Sequence, residues 1–262
     1  MHTQVNLIFP ERTREFEMAE EYKETNLCYL LHGASGNASD WVNYANTAFY
    51  SNKYNFIFVI PEVQLSMYSN MKYGLDYFDY ITEELPAIMQ REMNLPNRRK
   101  NTYICGLSMG GYGAGKAGLT KHELYAGIGI FSGVVYINDQ LEKCRKKEKM
   151  PPQFDERHWT GVFGDSFESS DTDDLFFLGA NVSKRQDRPN LIQTCGTDDI
   201  LLDMNNRFAK KLQQEGYVNH LYLTWKGGHT WQFWDRSLEL SLRYFRGINV
   251  TAADFGSYDI MR

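Results

Sequence analysis

The sequence predicts an α/β domain, built on a mostly parallel central sheet with helices on both faces. Three observations lead there. Short apolar runs without polar alternation recur in Thr25 to Leu31, Phe56 to Ile60 and Tyr125 to Phe131, as in strands buried on both faces. Between such runs lie segments with apolar residues at helical spacing, separated by short turns. The stretch Asn101 to Gly115 reads as a strand, a tight turn and a helix around Gly106-Leu107-Ser108-Met109-Gly110. With no internal repeat and no low-complexity linker, the 262 residues are expected to form one domain, 1–262.

In chain order, Val5 to Phe9 reads as an edge strand stopped by Pro10. Thr25 to Leu31 is a buried strand that runs into the loop His32-Gly33-Ala34-Ser35-Gly36-Asn37. Ser39 and Asp40 are expected to cap a helix over Trp41 to Tyr50. Phe56 to Ile60 is the next buried strand, and Pro61 to Lys72 is loop-like. Tyr73 to Met93 has helical spacing, with Pro86 inside it as the start of a second piece. The strand Thr102 to Cys105 and the helix Met109 to Leu119 flank Ser108. Tyr125 to Phe131, Leu191 to Cys195 and Asn219 to Trp225 complete the strands, with helices over Leu201 to Glu215 and Trp231 to Phe245. Residues 138–184 interrupt the alternation just before the strand that ends at Cys195. Their basic run, Lys143 to Lys149, is either a solvated face or part of a lid, because ligands bind beyond the C-terminal ends of such strands. His158-Trp159 and Val162-Phe163 are apolar enough to hold the insertion against the domain.

Composition excludes several classes. A net charge of −5 with no broad basic field and no nucleic-acid module gives no nucleic-acid partner. No apolar run approaches bilayer length, and Met1 to Asn6 lacks the basic start and apolar block of a signal peptide; a cytoplasmic location without a membrane span is expected. Cys28, Cys105, Cys144 and Cys195 are widely spaced with no CxxC pair, and three fall in predicted strands. They read as buried reduced thiols rather than disulfides or metal ligands. The 17 Tyr, 16 Phe and 5 Trp mostly fill the core, and the remainder can line a pocket for acyl chains or sugars.

The chemistry centres on Ser108. Glycine two residues to either side allows a strained turn that lifts the hydroxyl clear of the sheet and puts the Met109 amide at a helix N-terminus. GxSxG alone is weak, since a glycine-rich turn with a buried serine gives the same letters. A base and an acid must follow. Of six histidines, His229 in Gly227-Gly228-His229-Thr230 sits between a strand and the last helix, where a general base is needed. The acid should follow the strand ending at Cys195, and Cys195-Gly196-Thr197-Asp198-Asp199 offers two. Asp199 is favoured, with Asp198 left to cap the next helix. The order Ser108, Asp199, His229, each at a strand end, is the order of α/β-hydrolases. Backbone amides of Met109 and of the His32-Gly33-Ala34 loop, through Ala34, would form the oxyanion hole.

With these residues in place, the chain resembles a known family. The segments Leu30 to Asn37 with Asp40-Trp41, Tyr73-Gly74-Leu75-Asp76-Tyr77, Glu83-Glu84-Leu85-Pro86, Gly106 to Gly113, Gly161-Val162-Phe163-Gly164, Cys195 to Asp199 and Gly228 to Trp231 are similar to the esterase D family, nearest its tributyrin esterase (esterase A) branch. The match runs from about Leu27 to Leu242. The resemblance implies an α/β-hydrolase fold, a Ser108-Asp199-His229 triad and hydrolysis of short-chain acyl esters with no cofactor or metal. Acetylated sugars are among that branch's substrates, and related members release feruloyl groups. S-Formylglutathione hydrolases in the wider family usually carry a cysteine in the loop that here reads Ala34-Ser35-Gly36-Asn37. The expected partner is therefore a small-molecule ester, acylated oligosaccharides included; the alternatives are an S-formylglutathione hydrolase-like thioesterase and a non-catalytic carbohydrate- or protein-binding relative. Tyr68, Met67 and Trp231 flank the predicted site as candidate substrate contacts, with core packing as the competing reading. A homo-oligomer is compatible with the sequence.

Overall fold

The structure is a computed structural model that describes residues 3–11, 22, 24–95, 98–150, 154–250 and 254. Among the described residues, seven strands form one sheet in the order β1-β3-β2-β4-β5-β6-β7. They are β1 (Val5–Ile8), β2 (Asn26–Leu31), β3 (Phe56–Pro61), β4 (Thr102–Leu107), β5 (Gly127–Phe131), β6 (Asn190–Gly196) and β7 (His220–Trp225). Only β1, on the edge, runs antiparallel; the other five pairings are parallel. The expected mostly parallel sheet and its edge strand are both present, and the antiparallel direction of that edge is seen only in the fold.

Each continuous apolar run feeds two cores, because neighbouring side chains on a strand point to opposite faces. Leu27, Tyr29 and Leu31 pack on one side with α5 (Met109–Thr120) and α8 (Leu175–Ser183). Cys28 and Leu30 pack on the other with Trp41 and with α10 (Trp231–Phe245). Burial on both faces is why the strands show no polar alternation. The four cysteines are buried and free.

Two expectations change where distant residues intervene, and a third changes in its bounds alone. The helix expected over Trp41 to Tyr50 is split into α1 (Asp40–Tyr44) and α2 (Thr47–Tyr54), and Ser39 makes no side-chain cap. The break is held from α10: Asp235 accepts from the Asn46 backbone amide at 2.7 Å and from its side-chain amide at 2.8 Å. The helix expected from Tyr73 starts at Tyr77, as α3 (Tyr77–Asp79), because the backbone amides of Lys72 and Tyr73 donate instead to Val162 and Gly161 in the insertion. A π-helical turn over Tyr80–Glu84 then leads into α4 (Leu85–Met93), whose second residue is Pro86. Proline lacks the N–H that a continuous α-helix would use there. Finally, β5 begins at Gly127, two residues later than expected.

The insertion at 138–184 is largely helical. It contains α6 (Ile137–Arg145), α7 (Glu156–Phe163) and α8, followed after β6 by α9 (Leu202–Gln214). Trp159 and Val162 are buried in the core as expected, and Lys116 of α5 pairs with Asp173 at 2.6 Å. Lys143 to Lys149 falls at the exposed end of α6 and the turn after it, consistent with a solvated face.

Trp41 joins fold to site, since its buried indole fills the second core and donates to the Leu31 carbonyl at 3.1 Å, just before the His32 loop. We expect Trp41→Ala to lower unfolding free energy by about 3–5 kcal/mol, measured by urea titration; a loss below about 1 kcal/mol would show that this packing is dispensable.

Candidate active site

Ser108 sits between β4 and α5 with φ 54° and ψ −116°, a conformation that strains any residue with a side chain. The flanking glycines make the turn possible. A Cβ on Gly106 would lie 2.2 Å from the Gly110 carbonyl oxygen, and one on Gly110 would lie 2.3 Å from that of Leu31. The turn is anchored by Ser108 N–H donating to Phe131 O at 2.9 Å and by Val134 N–H donating to Ser108 O at 3.2 Å. At the start of α5, Met109 has no carbonyl one turn back to satisfy its amide.

Three side chains from three strand ends converge. His229 Nε2 is 3.1 Å from Ser108 Oγ, and His229 Nδ1 is 3.0 and 3.2 Å from the two oxygens of Asp199. Burial opposes ionisation of Asp199. Hydrogen bonds from His229 and from the Leu201 amide, at 2.8 Å, outweigh it and hold the carboxyl below its ordinary value. An ionised carboxylate only accepts, so His229 Nδ1 carries the proton and Nε2 is free to accept from Ser108. The Asp199 side chain has no solvent exposure, whereas that of His229 is 27% exposed and opens onto the cavity. Asp198 is exposed and does not cap the next helix; the residue before α9 is Leu201.

The cavity at Ser108 has a volume of about 670 Å³. Ala34 and its neighbours Gly33 and Ser35 form one side. Trp231, Trp234 and Tyr44 form an aromatic wall, with Tyr44 and Trp231 rings 5.4 Å apart and the Trp234 ring edge-on to His229 at 4.8 Å. Phe154 of the insertion, Val134 and Leu201 close the rest. A second cleft of about 520 Å³, lined by Lys72, Tyr73 and Asp165 among others, contains neither Ser108 nor His229.

Of the three candidate substrate contacts, Trp231 lines the cavity and the other two do not. Met67 and Tyr68 are fully buried, and the expectation that they touch substrate is corrected. Tyr68 supports the site from below: its hydroxyl donates to the His32 carbonyl at 3.0 Å, and its ring occupies the space that a side chain at Gly113 would need. Trp234 was legible three residues after Trp231, on the same helical face. Phe154 and Tyr44 had no sequence signal, since only the folded chain brings them to Ser108.

The loop carrying Ala34 is fixed by Glu62. The Ala38 and Gln64 amides donate to its carboxylate at 2.8 and 2.7 Å, and the His32 ring lies 3.5 Å away. Burial works against the charge, but His32 and the two amides prevail and bring Glu62 down to about 2. A depressed carboxyl stabilises the fold above its unfolded value, 4.5, and that contribution disappears as pH falls through about 2. Glu62→Gln should therefore cost about 1–2 kcal/mol at pH 7, discounted for partial exposure of the carboxylate. Its deficit in chemical denaturation should close on acidification; a deficit constant with pH would contradict the ionic role.

Comparison with known proteins identifies a family. The family described as "Putative esterase" matches residues 21–245. An acetyl esterase of Caldicellulosiruptor saccharolyticus is 30% identical over 230 residues, covering 85% of this chain and 84% of that protein. The structure of FphF, a fluorophosphonate-binding serine hydrolase of Staphylococcus aureus with substrate bound, superposes with a TM-score of 0.79 at 26% identity, over 94% of this chain and 93% of that one. The S-formylglutathione hydrolase FrmB of Staphylococcus aureus shares the fold, with a TM-score of 0.77 at 24% identity and the same coverage. The chain belongs to the Putative esterase family and is a carboxylic ester hydrolase with an α/β-hydrolase-type fold.

Proposed function

We propose that the chain is a serine esterase of the tributyrin esterase branch, hydrolysing short-chain acyl esters of acetyl to butyryl size through an acyl-enzyme on Ser108. The observation that carries this reading is the hydrogen-bonded series Ser108, His229, Asp199 opening onto the 670 Å³ cavity. His229 Nε2 takes the hydroxyl proton as Ser108 Oγ attacks the ester carbonyl, and Asp199 stabilises the resulting imidazolium. The amides of Met109 and Ala34 receive the oxyanion. Collapse of the tetrahedral intermediate expels the alcohol, which takes its proton from His229. Water, deprotonated by the same ring, then attacks the acyl-serine and releases the acid.

Acylated carbohydrates are the substrate class proposed for the alcohol side. The aromatic wall of Trp231 and Tyr44 offers flat apolar surface to a sugar ring, and the acetyl esterase relative supports a small acyl group. Phe154 lets the insertion act as a partial lid over the same cavity.

The test is a panel of p-nitrophenyl acetate, butyrate and octanoate, acetylated and feruloylated xylo-oligosaccharides and a formyl thioester, run on the wild type and on Ser108→Ala. We expect acetate and butyrate to exceed octanoate, and Ser108→Ala to lose at least about 10³-fold in kcat/KM. Preference for the thioester by orders of magnitude would replace the esterase reading with the thioesterase one. Unchanged turnover by Ser108→Ala would reject the nucleophile.

A further inference from the structure

Asn205, in the first turn of α9, is fully buried, and so is Gln193 of β6 beside it. A buried amide needs partners for its polar atoms, and Asn205 has them. Its Nδ2 donates to the Gly133 carbonyl at 3.0 Å and to the Leu201 carbonyl at 2.9 Å. Carbonyls only accept, so the nitrogen must face them and Oδ1 must face away. Gln193 Nε2 donates to Oδ1 at 2.9 Å and to the Asn205 carbonyl at 3.0 Å. Gln193 Oε1 is thereby left to accept from His220 Nε2, at 3.1 Å. Backbone acceptors fix the orientation of both side chains.

The two carbonyls that Asn205 holds belong to the two loops beside Ser108. The Gly133 carbonyl and the Val134 amide form one peptide unit, and that amide donates to the Ser108 carbonyl at 3.2 Å. The Ser108 carbonyl in turn shares a peptide unit with the Met109 amide. A trans peptide points its C=O and N–H in opposite directions, so anchoring the Ser108 carbonyl sets the line along which the Met109 amide is aimed. The Tyr112 amide holds the same oxygen from within α5 at 3.1 Å; Val134 holds it from outside the helix. On the other branch, the Leu201 amide donates to Asp199 Oδ1 at 2.8 Å. One side-chain amide thus ties the turn carrying the acid to the peptide carrying an oxyanion donor, and it does so from outside the lining of the cavity.

We propose that Asn205 is a positioning residue: its two N–H bonds hold the Met109 amide and the Asp199 turn in a fixed relation about Ser108. The role rests on the acyl-enzyme reading of Ser108, Asp199 and His229. As Ser108 Oγ attacks, negative charge develops on the ester carbonyl oxygen, and a donor already held in place stabilises it without reorienting. Donation into the Gly133 carbonyl also polarises its peptide unit and strengthens the Val134 N–H as a donor to Ser108. The Gln193 side chain supports Asn205 from behind and bonds to neither loop.

Asn205→Leu and Gln193→Leu separate positioning from general support, because each puts an apolar side chain into the same buried polar series. Assays are run at a temperature where every variant is folded by circular dichroism. Asn205→Leu should lose about 10- to 100-fold in kcat with KM nearly unchanged. Its inhibition constant for phenylboronic acid, which forms a tetrahedral adduct on Ser108, should rise by a similar factor. Gln193→Leu, however far its melting temperature falls, should keep kcat within about threefold of the wild type, because the two carbonyls still orient Asn205. If Asn205→Leu does not fold, Asn205→Ala takes its place with the same expected loss, since a water in the vacated space can satisfy the carbonyls but cannot tie them to α9. Wild-type kcat in the folded Asn205 variant, or an equal loss in Gln193→Leu, would overturn the proposal. Ser108→Ala, assayed alongside, separates the two levels. An inactive Ser108→Ala with a fully active Asn205 variant rejects only the positioning role; an active Ser108→Ala rejects the triad and this role with it.

Discussion

The contact on which the rest depends joins His229 Nε2 to Ser108 Oγ across 3.1 Å, between residues 121 positions apart in the chain. Neither group is reactive alone at neutral pH: a serine hydroxyl is a weak nucleophile, and an imidazole needs a proton within reach. What the fold contributes is their juxtaposition, with the backbone of Ser108 held at a φ it would not choose. Parallel strands make this economical, because β4, β6 and β7 all end on one side of the sheet and each releases one member of the group at its C-terminal end.

Support for that contact comes from beneath and from the side. Gly106 and Gly110 let β2, β4 and α5 approach until a single methyl group would collide with a backbone carbonyl. Trp41 and Tyr68 donate to the carbonyls of Leu31 and His32, respectively, and Glu62 receives the amides at either end of this region. Three of these contacts reach the loop bearing Ala34, the fourth holds Glu62 itself, and Trp41, Tyr68 and Glu62 lie outside the lining of the cavity. The wall is assigned differently, to aromatic side chains from α1 and α10 and to Phe154 of the insertion. Tyr44, Trp231 and Phe154 lie on elements other than the strand ends that carry the reacting group, whereas Trp234 packs edge-on against His229 and couples the wall to it.

Much of this was legible from the residues in order. Ser108, Asp199 and His229 each follow an apolar run, and local glycines mark the turns. Spacing past Gly196 already favours Asp199 over Asp198, and in the fold Asp199 turns inward beside His229 while Asp198 stays in solvent. Two of the differences share one cause. The break at Asn46 depends on Asp235, and the late start of the helix at Tyr77 depends on Gly161 and Val162, all remote in sequence. Met67 and Tyr68 were close to the site in the chain and in space, but they lie under it; proximity says nothing about which side of a loop a residue serves. Tyr44 and Phe154 illustrate the converse, since no local pattern distinguishes a cavity wall from an ordinary surface or core aromatic.

The central claim is that Ser108 is a nucleophile activated by its neighbours rather than a serine in a tight turn. Labelling the folded protein with a fluorophosphonate at neutral pH and locating the adduct by peptide mass spectrometry tests it most directly. The account predicts a single stoichiometric adduct on the peptide containing Ser108, absent after denaturation and slowed by orders of magnitude in His229→Ala. No adduct at Ser108, or one formed equally fast without the imidazole, would contradict it.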